Sequence, residues 1–168
     1  KVIILPNNKN IILAANQAKD VTVKQVAVVP SKTVPQGLSA MLAHNPDGDV
    51  DAVAEKMNRS LASVRTGEVT IATRTVEIDG VNVESGQVIA LLDGKLVLSA
   101  ASIEEAVMGF LEKAEAADHE LITFYYGEDL NRNEANRIAD VARAKFSAQE
   151  IEVQDGGQPH YPFLISVE

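Results

Sequence analysis

Residues 1–30 read K-V-I-I-L-P-N-N-K-N-I-I-L-A-A-N-Q-A-K-D-V-T-V-K-Q-V-A-V-V-P, and their pattern decides the fold class. Residues 2–5 are an unbroken apolar run, the mark of a parallel strand buried on both faces. Pro6-Asn7-Asn8-Lys9-Asn10 ends it. Ile11, Ile12, Ala15 and Ala18 then recur at helical spacing, and residues 26–29 form a second buried-looking strand. Strand, helix, strand predicts a right-handed parallel crossover.

Working outward, residues 30–37 form a polar, proline-containing connection to a short helix over 38–43, which His44-Asn45-Pro46 breaks. Val50, Val53, Met57, Leu61 and Val64 stripe a longer amphipathic helix. At Thr66-Gly67 the period changes from helical to two. Residues 68–77 alternate, and Asp79-Gly80 and Asp93-Gly94 are hairpin signals, the second between strands over 87–92 and 96–100. Ser102 and Glu105 make a capping box for a helix striped by Ile103, Val107, Phe110, Leu111 and Ala114. A strand over 121–125 precedes a second capping signal, Asn131 with Glu134, and a helix striped by Ala135, Ile138, Ala142 and Phe146. Strands over 151–153 and 163–167 close the chain. The expected architecture is a two-lobed α/β fold: a parallel, Rossmann-like α/β lobe over 1–66 and an α+β lobe with hairpins over 67–168.

Composition narrows the function classes. Hydrophobic residues make up 46% of the chain but aromatics only 4%, so the core must be built from Val, Ile, Leu and Ala. The formal net charge of −9 repels phosphate backbones, and the cations are dispersed among acids, so no nucleic-acid partner is expected. The absence of cysteine excludes disulfides, thiolate catalysis and Cys-bound zinc, and suits a cytoplasmic location. No stretch approaches the roughly 20 apolar residues of a membrane span. The chain opens without Met on a strand-like run, which reads as a piece of a longer protein.

Two regions offer binding residues. Asn7, Asn8 and Asn10 lie where the first strand gives way to a helix, and Thr33, Gln36 and Gly37 hold the equivalent place after the second. In parallel α/β sheets ligands and partners dock outside the carboxyl ends of strands. Simple helix capping by Asn and Thr explains the same residues equally well. The second region is the terminal loop, Asp155, Gly156, Gly157, Gln158 and His160, with Tyr126 as an exposed aromatic contact and Tyr125 packed in the core.

Catalytic and metal patterns fail. Counted as a calcium loop from Asp47, the run 47–51 places Ala52 and Asn58 where Gly and Glu are required. Its acids read instead as favourable charge at a helix N-terminus. His44, His119 and His160 are too far apart in sequence for a helical metal pair, and no serine sits in an elbow motif. Neither strand-end loop is a phosphate loop. Arg74 and Asp93 are expected to pair on the surface.

With these residues in view, the chain resembles the C-terminal domain of the bacterial fatty acid kinase family, also known as dihydroxyacetone kinase-like or Dak phosphatase proteins. The matching segments are I-L-P-N-N-K-N-I-I-L-A-A-N-Q-A at 4–18, V-P-S-K-T-V-P-Q-G-L-S-A-M-L at 29–42, R-T-G-E-V-T at 65–70, Y-Y-G-E-D at 125–129 and D-G-G-Q-P-H-Y-P-F-L-I-S-V-E at 155–168. The resemblance implies a DegV-like fold and a division of labour. ATP and Mg²⁺ are expected in an N-terminal domain outside this chain, with no cofactor here. This domain is expected to dock a separate acyl-binding, DegV-like protein whose fatty acid becomes an acyl phosphate, and to contact other domains of the same parent chain. A homodimer stays open.

Three readings follow in order. The first is a non-catalytic docking domain of a fatty acid kinase. The second is a small-molecule domain holding a fatty acid or phosphorylated ligand between the lobes. A hydrolase ranks last, for want of a nucleophile–base pair.

Overall fold

Val2–Ile4 (β1) and Val26–Val28 (β2) pair in parallel, Val2 opposite Val26 and Ile4 opposite Val28, with Ile12–Val21 (α1) between them in sequence. This computed structural model describes residues 1–78 and 80–168; Asp79, half of the first expected hairpin signal, lies outside the described residues. The chain divides into two compact units, Lys1–Val64 and Arg65–Glu168.

In the first unit β2 leads to Val34–Leu42 (α2) and Val50–Ser60 (α3), followed by a short 3-10 turn over Leu61–Ser63. Thr33 caps α2, its hydroxyl accepting from the Gln36 amide. Asp49 caps α3, accepting from the amides of Asp51 and Ala52. Val29, Ala40, Val50, Val53 and Met57 form the core, a small one. Two expectations need correction. Residues 2–5 are only half-buried and Val2 is exposed, because a sheet of two strands has no interior strand to cover. The stripe expected along α1 is not a core stripe: Ala15 is buried, whereas Ile11 and Ala18 face water.

The second unit is built on a six-stranded sheet. Its elements are Arg65–Ile71 (β3), Val76–Ile78 (β4), Val81–Val83 (β5), Val88–Leu92 (β6), Lys95–Ala100 (β7), Ile103–Lys113 (α4), Leu121–Tyr126 (β8), Arg132–Lys145 (α5), Glu150–Asp155 (β9) and Phe163–Val167 (β10). The sheet order is β7-β6-β3-β10-β8-β9; β4 and β5 form a separate antiparallel pair. Strands β8 and β9 run parallel across α5, and the other pairs are antiparallel. The last strand therefore inserts at the centre, bonded to β3 and β8 on either side, which is why it is apolar.

Helix α4 packs on β3, β6 and β7, and α5 on β8 and β9. Phe110, Phe124, Phe163, Ile122, Ile138 and Ile165 are fully buried, Phe124 meeting Phe163 edge-on at 5.6 Å between ring centres. Each such side chain contributes about 1.5–3 kcal/mol by leaving water. Both capping signals are realised: Ser102 accepts from the Glu105 amide at 3.2 Å and Asn131 from that of Glu134 at 3.0 Å. Asp93 pairs with Arg65 at 2.7 Å rather than with Arg74, and its other oxygen accepts from the Thr66 amide. The turn between β6 and β7 brings Asp93 back beside the start of β3, where Arg65 stands.

Candidate functional site

Where β1 ends, Asn7 adopts a left-handed backbone conformation with φ of 53°. That turn aims its main-chain amide at Ser31, whose hydroxyl accepts at 3.0 Å and in turn donates to the Asn7 side-chain oxygen at 2.7 Å. Ser31 is completely buried after β2, so this paired bond ties the two strand ends together. The Asn7 carboxamide lies over α2 at Gly37, where a Cβ would stand 2.0 Å from its oxygen. Only glycine leaves that room. Gln36 spans the same region, accepting from the Lys32 amide at 2.9 Å and donating to the Leu61 carbonyl at 3.3 Å.

The structure thus gathers Asn7, Thr33, Gln36 and Gly37 at the carboxyl ends of β1 and β2, with structural work for each. Helix capping explains Thr33, and Gln36 and Gly37 lie within α2 rather than in the loop expected there. Asn8 and Asn10 stand exposed on the rim, joined by a bond from the Asn10 amide to the Asn8 side chain at 2.8 Å, with exposed Lys9 between them. Carboxamides and hydroxyls offer hydrogen bonds, not a proton relay. A cavity of about 340 Å³ is lined by Leu5, Met41, His44, Val50, Val53 and Met57.

The terminal loop forms a second cluster, in the other unit. Gln158 braces it, its amide donating to the carbonyls of Tyr125 at 2.8 Å and Tyr161 at 3.1 Å. The amides of Gly156 and Gly157 both donate to the Tyr126 carbonyl. Gly127 is fixed by close approach, since a Cβ would meet the Tyr161 carbonyl at 2.3 Å and that of Gln158 at 2.6 Å. His160 is exposed with φ of 68°, and its carbonyl accepts from the Thr70 hydroxyl at 2.7 Å. Asp155 pairs with Tyr126 across β9 and β8.

The two tyrosines exchange the places expected of them. Tyr126, with 9% exposure, belongs to the core, and Tyr125 is the half-exposed one. Alternate residues of a strand share a face, and Ile122, Phe124 and Tyr126 share the face that the helices cover. Burial, together with the Asp155 carboxylate that accepts its hydroxyl hydrogen, pushes the Tyr126 phenol above the usual 10.0. Burial and the charge of Glu168 raise Tyr125; burial and Glu68 raise Tyr161.

Sequence reasoning missed Ser31 and the outward side chains of α2, Leu38, Met41 and Leu42. A hydroxyl just after a strand gave no cue for Ser31. For α2, large apolar residues at 34, 38, 41 and 42 occupy one face and small residues the other, a spacing that shows a stripe but not the side on which the core lies. Among the described residues no cluster of three or more His, Cys, Asp or Glu could hold a metal ion, and no helix is long and apolar enough to cross a membrane.

Set against known families, residues 1–168 match the FakA-like C-terminal domain of fatty acid kinase. The chain belongs to that family. As a FakA-like C-terminal domain it is 39% identical over 167 residues to protein YloV of Bacillus subtilis, and 34% identical over 168 residues to a protein of Staphylococcus epidermidis. The matches cover 99% and 100% of this chain, which spans about 30% of the length of these curated relatives.

Among solved structures it is similar to the fatty acid kinase (Fak) B3 protein of Streptococcus pneumoniae loaded with linoleic acid, with a TM-score of 0.68 at 13% identity over 99% of this chain and 70% of that one. A DegV family protein from Corynebacterium glutamicum gives 0.66 at 16% identity over 98% and 74%. A Thermotoga maritima protein described as revealing fatty acid binding function gives 0.64 at 14% over 99% and 69%. At such identities the likeness establishes the DegV-like fold of this family member, as the resemblance implied.

Proposed function

We propose that this chain is the docking domain of a fatty acid kinase: it engages a separate acyl-binding protein of DegV fold so that the bound fatty acid is phosphorylated by ATP held elsewhere in the longer protein. The observation that carries this reading is the strand-end region of the first unit, where Asn8, Lys9 and Asn10 stand exposed on a base fixed by the Asn7–Ser31 bonds. A rim held rigid beneath and polar above suits recognition of a second protein, because little order remains to be imposed on binding. Membership of the FakA-like family, together with a DegV-like fold shared with a Fak B3 protein, supplies the class of partner.

ATP and Mg²⁺ belong, in this reading, to another part of the parent chain, which places it in the cytoplasm. Support comes from the acidic run 47–51, which does not fit a nucleotide–metal site. Asp49 there is engaged in capping α3, accepting from the amides of Asp51 and Ala52.

Titration calorimetry of the folded chain with its cognate acyl-loaded protein tests the proposal. Saturable binding supports it, and heats no larger than dilution contradict it. A second reading, that the chain itself holds a fatty acid, draws on the fatty-acid-binding DegV-fold neighbours and on the apolar cavity at Leu5, Met41 and Met57. A thermal shift on adding linoleic acid favours that reading; none removes it.

A further inference from the structure

The parallel sheet of the first unit stops at two strands, and one of its edges lies beside a cavity. The Val2 amide donates to the Gln25 carbonyl at 2.9 Å and the Val29 amide to the Ile4 carbonyl at 3.0 Å, so Val2 and Ile4 turn main-chain groups toward β2. In a parallel ladder alternate residues bond the same neighbour. The N–H and C=O of Ile3 therefore point away from β2, along an open strand edge. The cavity of about 340 Å³ lies at that edge. Val2 and Ile3 leave opposite faces of the strand, yet both line it, and the residues of β2 do not. Leu5, Met41, Val50, Val53 and Met57 give it an apolar wall.

We infer that this groove seats an extended, apolar segment from another part of the longer protein, which adds to the edge of β1 as a third strand and places a side chain in the cavity. Such strand addition is independent of the docking reading, which concerns a different protein.

The edge itself selects a strand. A hydrocarbon tail, or a helix whose own groups are already paired, would cover Ile3 and leave its N–H and C=O without partners, which is costly once water is excluded. An added strand pairs both groups, and its alternate side chains reach a pocket beside the edge. The sheet is also too narrow for its helices. Helix α1 buries Ala15 but leaves Leu13 70% and Val21 86% exposed. A lone pair of strands is marginal in water, and parallel sheets are ordinarily covered on both faces.

The length of chain outside this structure selects the source. This chain spans about 30% of the length of its curated relatives. The matches to the DegV-fold neighbours cover 74%, 70% and 69% of theirs, so each neighbour carries residues without a counterpart here. A segment of the same polypeptide is held near the groove at high effective concentration. A strand as short as β1 can then stay bound where a free peptide of that length would not.

Amide hydrogen exchange, compared between the 168-residue chain and the full-length protein, tests the inference. In the full-length protein the Ile3 amide should exchange as slowly as that of Val29, which is bonded within the sheet. In the 168-residue chain it should exchange at least about a hundred-fold faster than in the full-length protein. Ile3→Pro removes the edge N–H together with the side chain, and Ile3→Ala the side chain alone. The two variants should melt at about the same temperature in the short chain, with the proline variant several degrees lower in the full-length protein. Should Ile3→Pro fail to fold in both, the exchange rates of the wild type decide. Fast exchange at Ile3 in both proteins, with Val29 slow, leaves the edge open and overturns the inference. Slow exchange in both overturns it too, and a dependence on concentration would assign the edge to a second copy. Protection in the full-length protein with equal melting of the proline and alanine variants means a cover that is not a strand, and overturns it as well. A thermal shift with linoleic acid of equal size in both proteins would leave the groove free for an acyl chain, with the same consequence.

Discussion

In the second unit Phe110, Phe124 and Phe163 are withdrawn completely from water between a six-stranded sheet and two helices, whereas in the first Leu13, Leu38 and Leu42 project into it. The second unit is acidic and carries its ion pairs internally. The first is slightly basic, and among the described residues its lysines are left uncompensated. A sheet with four interior strands has two faces to cover and enough helix to cover one of them well. A sheet of two strands buries little, so the helices around it keep apolar residues to spare. The contrast teaches that the two units treat apolar surface differently: one encloses it and the other displays it.

The comparison breaks most visibly in the second core. Phe110→Ala should cost about 3–5 kcal/mol, measured by urea unfolding, because the fully buried ring packs against Gly67 and its loss leaves a cavity. A cost below about 1 kcal/mol would show that this core is not the tight one described. Next comes Gly37→Ala. In an open helix it would stabilise by up to about 1 kcal/mol. Here the methyl displaces the Asn7 carboxamide from Ser31, and the expected result is a loss of about 1–3 kcal/mol. Asn7→Gly combined with Gly37→Ala should lose less than the two single changes added together.

Alkaline pH sharpens the contrast further, since all three tyrosines lie in the second unit. The phenols of Tyr125, Tyr126 and Tyr161 are all held above 10.0 in the folded protein. Their contribution is complete below the unfolded value near 10 and is lost as pH rises through the folded values. Absorbance at about 295 nm should show tyrosine ionisation delayed relative to the unfolded chain, and unfolding followed by tyrosine fluorescence should become easier above about pH 10. An undelayed titration would contradict the burial of Tyr126. The smallest effect belongs to the first unit: Leu42→Ser should change stability by no more than about 0.5 kcal/mol, read from the same urea curves.

Much of this is legible in residues 1–30 and in the period change after Val64. Strand–helix–strand, the capping residues Thr33, Ser102 and Asn131, and the Asp93-Gly94 hairpin are local, and local chemistry is written in sequence. What escapes depends on partners distant along the chain. Tyr125 and Tyr126 exchange places although Ile122 and Phe124 already mark the even positions as inward. Gln158 reads as a binding residue because its partners are main-chain carbonyls, which no side-chain pattern reveals. The burial of residues 2–5 is overestimated because a run of apolar residues does not say how many strands will flank it. At the site, the rim residues can be found from sequence, but the face of α2 cannot. Apolar spacing shows that a stripe exists without showing which side of the helix the core occupies.

Hydrogen–deuterium exchange of the chain with and without the acyl-loaded protein proposed as its partner puts the division between the units to the most direct trial. Slowed exchange at residues 7–10 and 33–42, with the second unit unchanged, is the predicted result. Protection confined to residues 155–162 and the strands beside them, with α2 exchanging as before, would contradict it.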